Sequence, residues 1–343
     1  MLITLSFEVI ASDYNVDVYG TNEKIANNII KIFSKEIQNY ADYYKHENRK
    51  TSIYNPINVE PKKQEIIKKI RKKFNFSYFD ISTITYYNGQ VFSTIDVVEK
   101  KDVKRMAHID TFNSIKYNSN IQIPQDLENL IVHWDAYMER VDDLFLKQKL
   151  NPVRKCPVYH CIADFEQADL KKYQIIFDTD VPKQKNKLIE ILKTDPDQKR
   201  RATSIFLLGH LKEGNELIEI LVPFLRDSNE TVRNNAMRVL SSALEIIKPD
   251  HFNMKPIVEA LDSPILTDRN KALAIMISLG SKPKYAHYIA KNARLSLINS
   301  LKMKQPNLHS NAYGVLVNMS GKSYDEYDYS SWNKWLLEEG NKK

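Results

Sequence analysis

Four alanines, Ala202, Ala236, Ala272 and Ala312, recur at intervals of 34, 36 and 40 residues. Three residues ahead of each stands Lys199, Arg233, Arg269 or His309. Three, four and seven residues behind come Ile205, Phe206 and Gly209; Val239, Leu240 and Ala243; Ile275, Met276 and Leu279; Val315, Leu316 and Met319. Those offsets share one face of an α-helix, so the ladder describes four helices of one kind. Helices ahead of them echo one another as Leu188-Ile-Glu-Ile-Leu192, Leu217-Ile-Glu-Ile-Leu221 and Ile257-Val-Glu-Ala-Leu261. A helix pair with apolar residues on two faces cannot bury both alone. Stacking on like neighbours does bury them, which predicts a quasi-linear α-solenoid.

The turns between the paired helices carry a more specific signal. Asp227-Ser-Asn-Glu-Thr-Val-Arg233-Asn-Asn-Ala236 resembles the signature of HEAT repeats, a turn Asp followed by Val-Arg-x-x-Ala at the start of the second helix. Asp195 to Ala202 reads as a shortened form, and Asp268-Arg269-Asn-Lys-Ala272 keeps only the end. Around Ala312, His309 replaces the base and no turn Asp precedes it. The resemblance spans Pro182 to Gly321. It implies an armadillo-like solenoid whose second helices line a concave side. It also implies a structural role for the base ahead of each anchor, with Arg233 pairing to Asp227 or Asp195.

Ahead of the array the pattern changes. Ile3, Leu5, Phe7 and Val9 alternate with polar residues, as do Tyr14, Val16 and Val18, so two strands are expected. Helices follow over Glu23–Tyr44 and Lys62–Phe74, the second with Ile66, Ile67 and Ile70 on one side. Ile81–Tyr87 and Val91–Val98 flank Asn88-Gly89, the residues of a tight type I′ hairpin turn. The expected fold class is an α+β N-terminal domain of two β-hairpins with helices, followed by an all-α HEAT-like solenoid. Its expected parts are residues 1–99, a connector over 100–181 with a long helix at 124–150, and a repeat domain over 182–343. Trp332, Trp335 and Leu336 mark a capping helix at the C-terminal end.

Function classes narrow by what is missing. With 43% hydrophobic residues the chain can bury a core, which excludes wholesale disorder, and no apolar run is long enough for a membrane span. There is no phosphate loop, dinucleotide fingerprint or nucleophile elbow. His-Glu occurs only at His46-Glu47, whereas the HEAT-built deoxyhypusine hydroxylases hold iron through repeated His-Glu pairs. No cofactor is expected. The leading reading is therefore a non-enzymatic scaffold that grips a protein or peptide partner in a groove lined by Arg201, Asn235, Arg238 and Lys271.

Charge supports a second reading. The net charge is +7, and Arg269 to Lys322 holds nine Lys or Arg and no Asp or Glu. A nucleic acid is the alternative partner of that stretch, through Lys282, Lys284, Lys291 and Arg294. A third reading places an enzyme site at His160, Cys161 or His210. Cys156 and Cys161, the only cysteines, read first as incidental thiols; a disulfide, or a metal site with His160, stays open. A cytoplasmic location is expected, with an exported protein whose Met1 replaces a removed signal peptide as the alternative.

Overall fold

The computed structural model describes residues 14–48, 59–86, 89–106, 117–118 and 120–342. The expected strand Ile3–Val9 and Asn88 of the hairpin turn lie outside the described residues. The chain forms two compact units that divide between Lys100 and Lys101.

The first unit is a small sheet covered by helices. Its elements are β1 (Tyr14–Tyr19), α1 (Glu23–Asn48), α2 (Glu60–Arg71), β2 (Phe76–Thr85) and β3 (Val91–Glu99). The strand order is β1-β3-β2. β2 and β3 pair antiparallel as the hairpin signal predicts, with Ile81 opposite Ile95. β1 instead runs parallel to β3, with Val16 opposite Ser93 and Val18 opposite Ile95. That pairing was not expected, because it joins strands separated by two helices, and alternation within one strand carries no information about a distant neighbour. As the central strand, β3 is buried from Val91 to Val98 on both faces. Val16, Ile29, Phe33, Ile37, Ile66, Ile67, Ile70, Phe79, Ile81, Ile95 and Val97 form the core.

The second unit is all-α. After a 3-10 turn at Lys100–Met106 come α3 (Gln125–Leu146) and α4 (Ala168–Thr194), then α5 (Gln198–Leu208) and α6 (Gly214–Leu221). α7 (Glu230–Ile247), α8 (Lys255–Leu261), α9 (Leu266–Gly280), α10 (Pro283–Leu301), α11 (Pro306–Ser320) and α12 (Tyr329–Gly340) complete it. The helices pair as α4–α5, α6–α7, α8–α9 and α10–α11, and the second members pack in series, α5 on α7, α7 on α9, α9 on α11. This is the stack that the ladder predicts. The expected repeat boundary at 182 falls inside α4. Pro182 lies within that helix with its side chain exposed, so a residue that usually marks a helix start is here an interior one.

The array ends on an aromatic cluster. Trp332 of α12 is fully buried, edge-on to Tyr313 of α11 and to Tyr324, and its indole N–H donates to the Asp325 carbonyl. α12 packs on α10. The last pair therefore has a cover for the face that a further repeat would bury.

Candidate functional site

The repeats are held in register by a buried set of polar groups at the turn before each second helix. Asp195, Asp227 and Ser263 occupy one position in three successive turns. Each side chain accepts from the backbone N–H two residues on, at Asp197, Asn229 and Ile265, over 2.7, 2.8 and 3.1 Å. Six residues after each stands a buried arginine, and Arg201, Arg233 and Arg269 donate back to the carbonyls of Asp195, Asp227 and Ser263 at 2.9, 2.6 and 2.8 Å. The helix N-caps agree, since Asp197, Asn229 and Gln305 all cap with their side chains.

This geometry corrects the sequence register at the first repeat. The residue equivalent to Arg233 is Arg201, not Lys199, and the equivalent of Ala236 is Ser204, not Ala202. The turn from Asp195 is full length and not shortened. Arg201 is therefore not a groove residue: it is 1% exposed, and its guanidinium donates to Asp227 at 3.1 Å. Burying that charge demands a carboxylate, and the ladder provides one.

The partner expected for Arg233 also changes. Arg233 donates through Nε to Asp268 of the following repeat at 3.1 and 3.3 Å, and takes only the carbonyl of Asp227. In the third turn Ser263 stands where Asp would be, so it can make the turn but not neutralise Arg233. Asp268, five residues on, supplies the carboxylate and accepts from the Ser263 hydroxyl at 3.1 Å. Burial pushes the Asp268 carboxyl up to about 6, against the opposing pull of Arg233. At the same offset in the first turn Arg200 neutralises Asp195, at 2.6 and 2.8 Å. His309 ends the series, with Nδ1 donating to the Leu301 carbonyl.

Shifting the first repeat by two residues redefines the face beside this ladder. It now runs Thr203, Phe206 and His210; Asn235, Arg238 and Ser242; Lys271, Ala274 and Ser278; Asn311, Gly314 and Asn318. Several of its polar groups stitch one second helix to the next. Asn235 donates to the Ala202 carbonyl at 3.2 Å, Ser278 to Ser241 at 3.3 Å and Asn318 to Ile277 at 2.6 Å. Arg238 and Lys271 do not. Both are half-buried, and among the described residues no carboxylate pairs with either. Burial, joined by the charge of Arg238, brings the Lys271 amine down to about 8.

A loop closes on the same face. Cys156 and Cys161 are joined in a disulfide, with Cα atoms 5.6 Å apart, so neither is an incidental thiol and neither offers a thiolate to a metal. The loop is docked through the Tyr159 N–H on the Gly209 carbonyl at 3.1 Å and the Tyr159 hydroxyl on the Lys212 carbonyl at 2.9 Å. It carries His160 onto the ring of Phe206, which stacks in turn on Trp134 of α3. His160 Nδ1 lies 3.1 Å from the Ser242 hydroxyl. Burial, then Arg238 and Lys271, hold the His160 imidazole down to about 4. Reasoning from sequence missed this placement; the one local signal was the cysteine pair that flanks the histidine.

The remaining sequence candidates are dispersed. Lys282 is tied to Asp250 at 2.9 Å and to the carbonyls of Lys248 and Pro249, and Arg294 donates to Asn333 at 2.6 Å. Lys284 lies over the Tyr285 ring, beside a shallow depression with His251, Phe252 and Tyr288. Lys291 is exposed, with its backbone packed under Gly340. His210 is buried against Phe165 and Phe177 and shares 2.7 Å with Asp178. Among the described residues no three His, Cys, Asp or Glu side chains converge to hold a metal, and no helix is long and apolar enough to cross a membrane.

Comparison with known proteins agrees with the ladder. A family model described as HEAT repeats matches residues 186–282, from within α4 to just beyond α9. No curated protein matches the chain.

Proposed function

We propose that this chain, with HEAT repeats stacked in its C-terminal half, is a non-enzymatic scaffold that holds a protein partner on the second-helix face. HEAT-type arrays commonly serve as interaction surfaces, because stacked repeats give an extended face with little chemistry of its own. The observation that carries the reading is the pair Arg238 and Lys271, two half-buried cations that face no carboxylate among the described residues. A cation held in this way costs stability, and an anionic partner offsets that cost.

The His160–Ser242 contact is the arrangement nearest to a catalytic pair, and its electrostatics oppose catalysis. A serine nucleophile needs a base poised near neutral pH and oriented by an acid. His160 instead has a pKa near 4 and two cations beside it. Nucleic-acid binding gains little support, since Lys282 and Arg294 are already engaged by neighbouring residues. The disulfide supports the exported alternative, because such bonds persist in oxidising compartments.

The test is capture with the full chain against a charge-reversed variant, Arg238→Glu/Lys271→Glu, with and without nuclease. The reading expects a protein retained by the native chain, insensitive to nuclease and lost from the variant. Equal retention by both chains, or retention abolished by nuclease, refutes it.

A further inference from the structure

We propose that Arg238 on α7 and Lys271 on α9, walled by the disulfide-held His160, form an anion subsite that receives a single carboxylate of an acidic peptide. The inference rests on the reading of the second-helix face as a partner surface, and it specifies what the partner brings there.

Arg238 differs from its neighbours in how its guanidinium is used. Arg200, Arg201, Arg226 and Arg233 each meet a carboxylate. Arg105 and Arg269 each reach a backbone carbonyl, at 3.0 and 2.8 Å. Arg238 makes a single 3.5 Å approach to Asn234, and its Nε is buried with no acceptor. A guanidinium is a planar fork suited to a bidentate carboxylate, and here Nε is unspent and Nη2 makes only the long contact to Asn234. Lys271, one repeat further on, is close enough for the Arg238 charge to lower its amine, and no anion in the described chain compensates either. Interior pairs elsewhere show that this fold buries arginine readily when it supplies an acid. At this one step of the face it does not.

The surroundings decide which anion fits. Along the second, third and fourth repeats of the face the neighbouring positions are neutral, among them Asn235, Ser242, Ala274, Ser278, Gly314 and Asn318, while His210 of the first repeat is engaged by Asp178. A nucleic-acid backbone presents a charge at every step and is matched by a row of cations. Two adjoining cations match the one side-chain carboxylate that an acidic peptide brings to them, and no row of cations continues on either side to follow a phosphate backbone. His160 closes one side, held on Phe206 and on the Ser242 hydroxyl.

The test uses a fluorescent hexaglutamate peptide and anisotropy at low salt, with hexaglutamine, inorganic phosphate and a short DNA duplex as competitors. The native chain is expected to bind hexaglutamate and not hexaglutamine. Arg238→Gln/Lys271→Gln should weaken binding about tenfold or more, the loss expected for charge-assisted hydrogen bonds. The exposed control Lys284→Gln/Lys291→Gln should leave it within about twofold. Neither substitution at the proposed site removes an internal ion pair, and unchanged circular dichroism confirms an intact fold. Absence of hexaglutamate binding, or equal loss in the control, overturns the proposal. Phosphate competing as well as the peptide, or DNA binding more tightly through the same two residues, overturns its choice of ligand. If the site proves silent while the capture described above persists and still depends on this face, the scaffold reading stands and the anion subsite falls.

Discussion

Replacing Arg233 by methionine tests whether the turn ladder, and not apolar stacking alone, fixes the register of the repeats. The substitution keeps an unbranched apolar stem and removes four donor contacts: two to Asp268 at 3.1 and 3.3 Å, one to the Asp227 carbonyl at 2.6 Å and one to the Ser228 carbonyl at 3.1 Å. Asp268 is fully buried, would lose its paired cation and would keep the Ser263 hydroxyl. Removing one member of a buried pair costs about 3–5 kcal/mol, and stranded carbonyls add to that, so a loss of about 4 kcal/mol or more is expected at pH 7. For a unit of this size each kcal/mol moves the Tm by about 2–4 °C, giving a fall of about 8–16 °C. The loss should depend on pH. The Asp268 carboxyl already sits near 6 with Arg233 beside it, and rises further without that cation. A carboxyl raised in the folded state contributes stability that is present below its unfolded value and lost as pH climbs through its folded value. The deficit of the variant must therefore narrow between pH 7 and pH 5. Thermal and urea melts of Arg233→Met, Asp268→Asn and the double variant measure the coupling, expected to exceed about 1 kcal/mol. Additive effects, or single variants within about 1 kcal/mol of the native chain, would refute the reasoning.

Three further outcomes follow from the site. Lys271→Met should stabilise the fold by about 1 kcal/mol at neutral pH by removing a charge that burial, and then Arg238, disfavour. Because the folded state holds the Lys271 amine near 8, the native chain should gain stability as pH rises from there towards the unfolded value of 10.5, a gain absent from the variant; identical pH profiles would exclude it. Cys156→Ser/Cys161→Ser opens a loop of sequence separation 5 and should cost up to about 2 kcal/mol. Hydrogen exchange at the Tyr159 amide, bonded to Gly209, is expected to quicken, and an unchanged rate would show that the loop docks without its bond. Gly214→Ala would place a Cβ 2.5 Å from the Tyr159 hydroxyl and 2.6 Å from Ile247, so a loss of about 1–3 kcal/mol is expected in a chemical melt.

How much of this was legible depended on whether the information was local. The repeat period, the helix pairs and the hairpin of β2 and β3 follow from spacing within short windows, and they are present. The first repeat slipped by two residues because Ala202 and Ser204 both carry apolar residues at helical offsets, and periodicity does not choose between them. The six-residue interval from Asp195 to Arg201, the same as from Asp227 to Arg233, does choose, but its meaning lies in a hydrogen bond that closes a turn. Arg201 looked like a groove residue for the same reason. The exchange of Asp for Ser at 263 with compensation from Asp268 spans two helices and has no one-dimensional trace. The parallel pairing of β1 and the arrival of His160 over Phe206 are likewise contacts across long separations.

The ladder also gives the array a direction. Arg201 is neutralised by Asp227 and Arg233 by Asp268, so in these two steps each unit lends its cation forward and borrows its acid from the unit after it. The two ends of such a series are not interchangeable. Trimming from the N-terminal side strands an acid, which can take up a proton and become neutral. Trimming from the C-terminal side strands a guanidinium, which cannot. Repeats are thus removable one at a time only from one direction, and a transplanted repeat would have to travel with the turn that follows it.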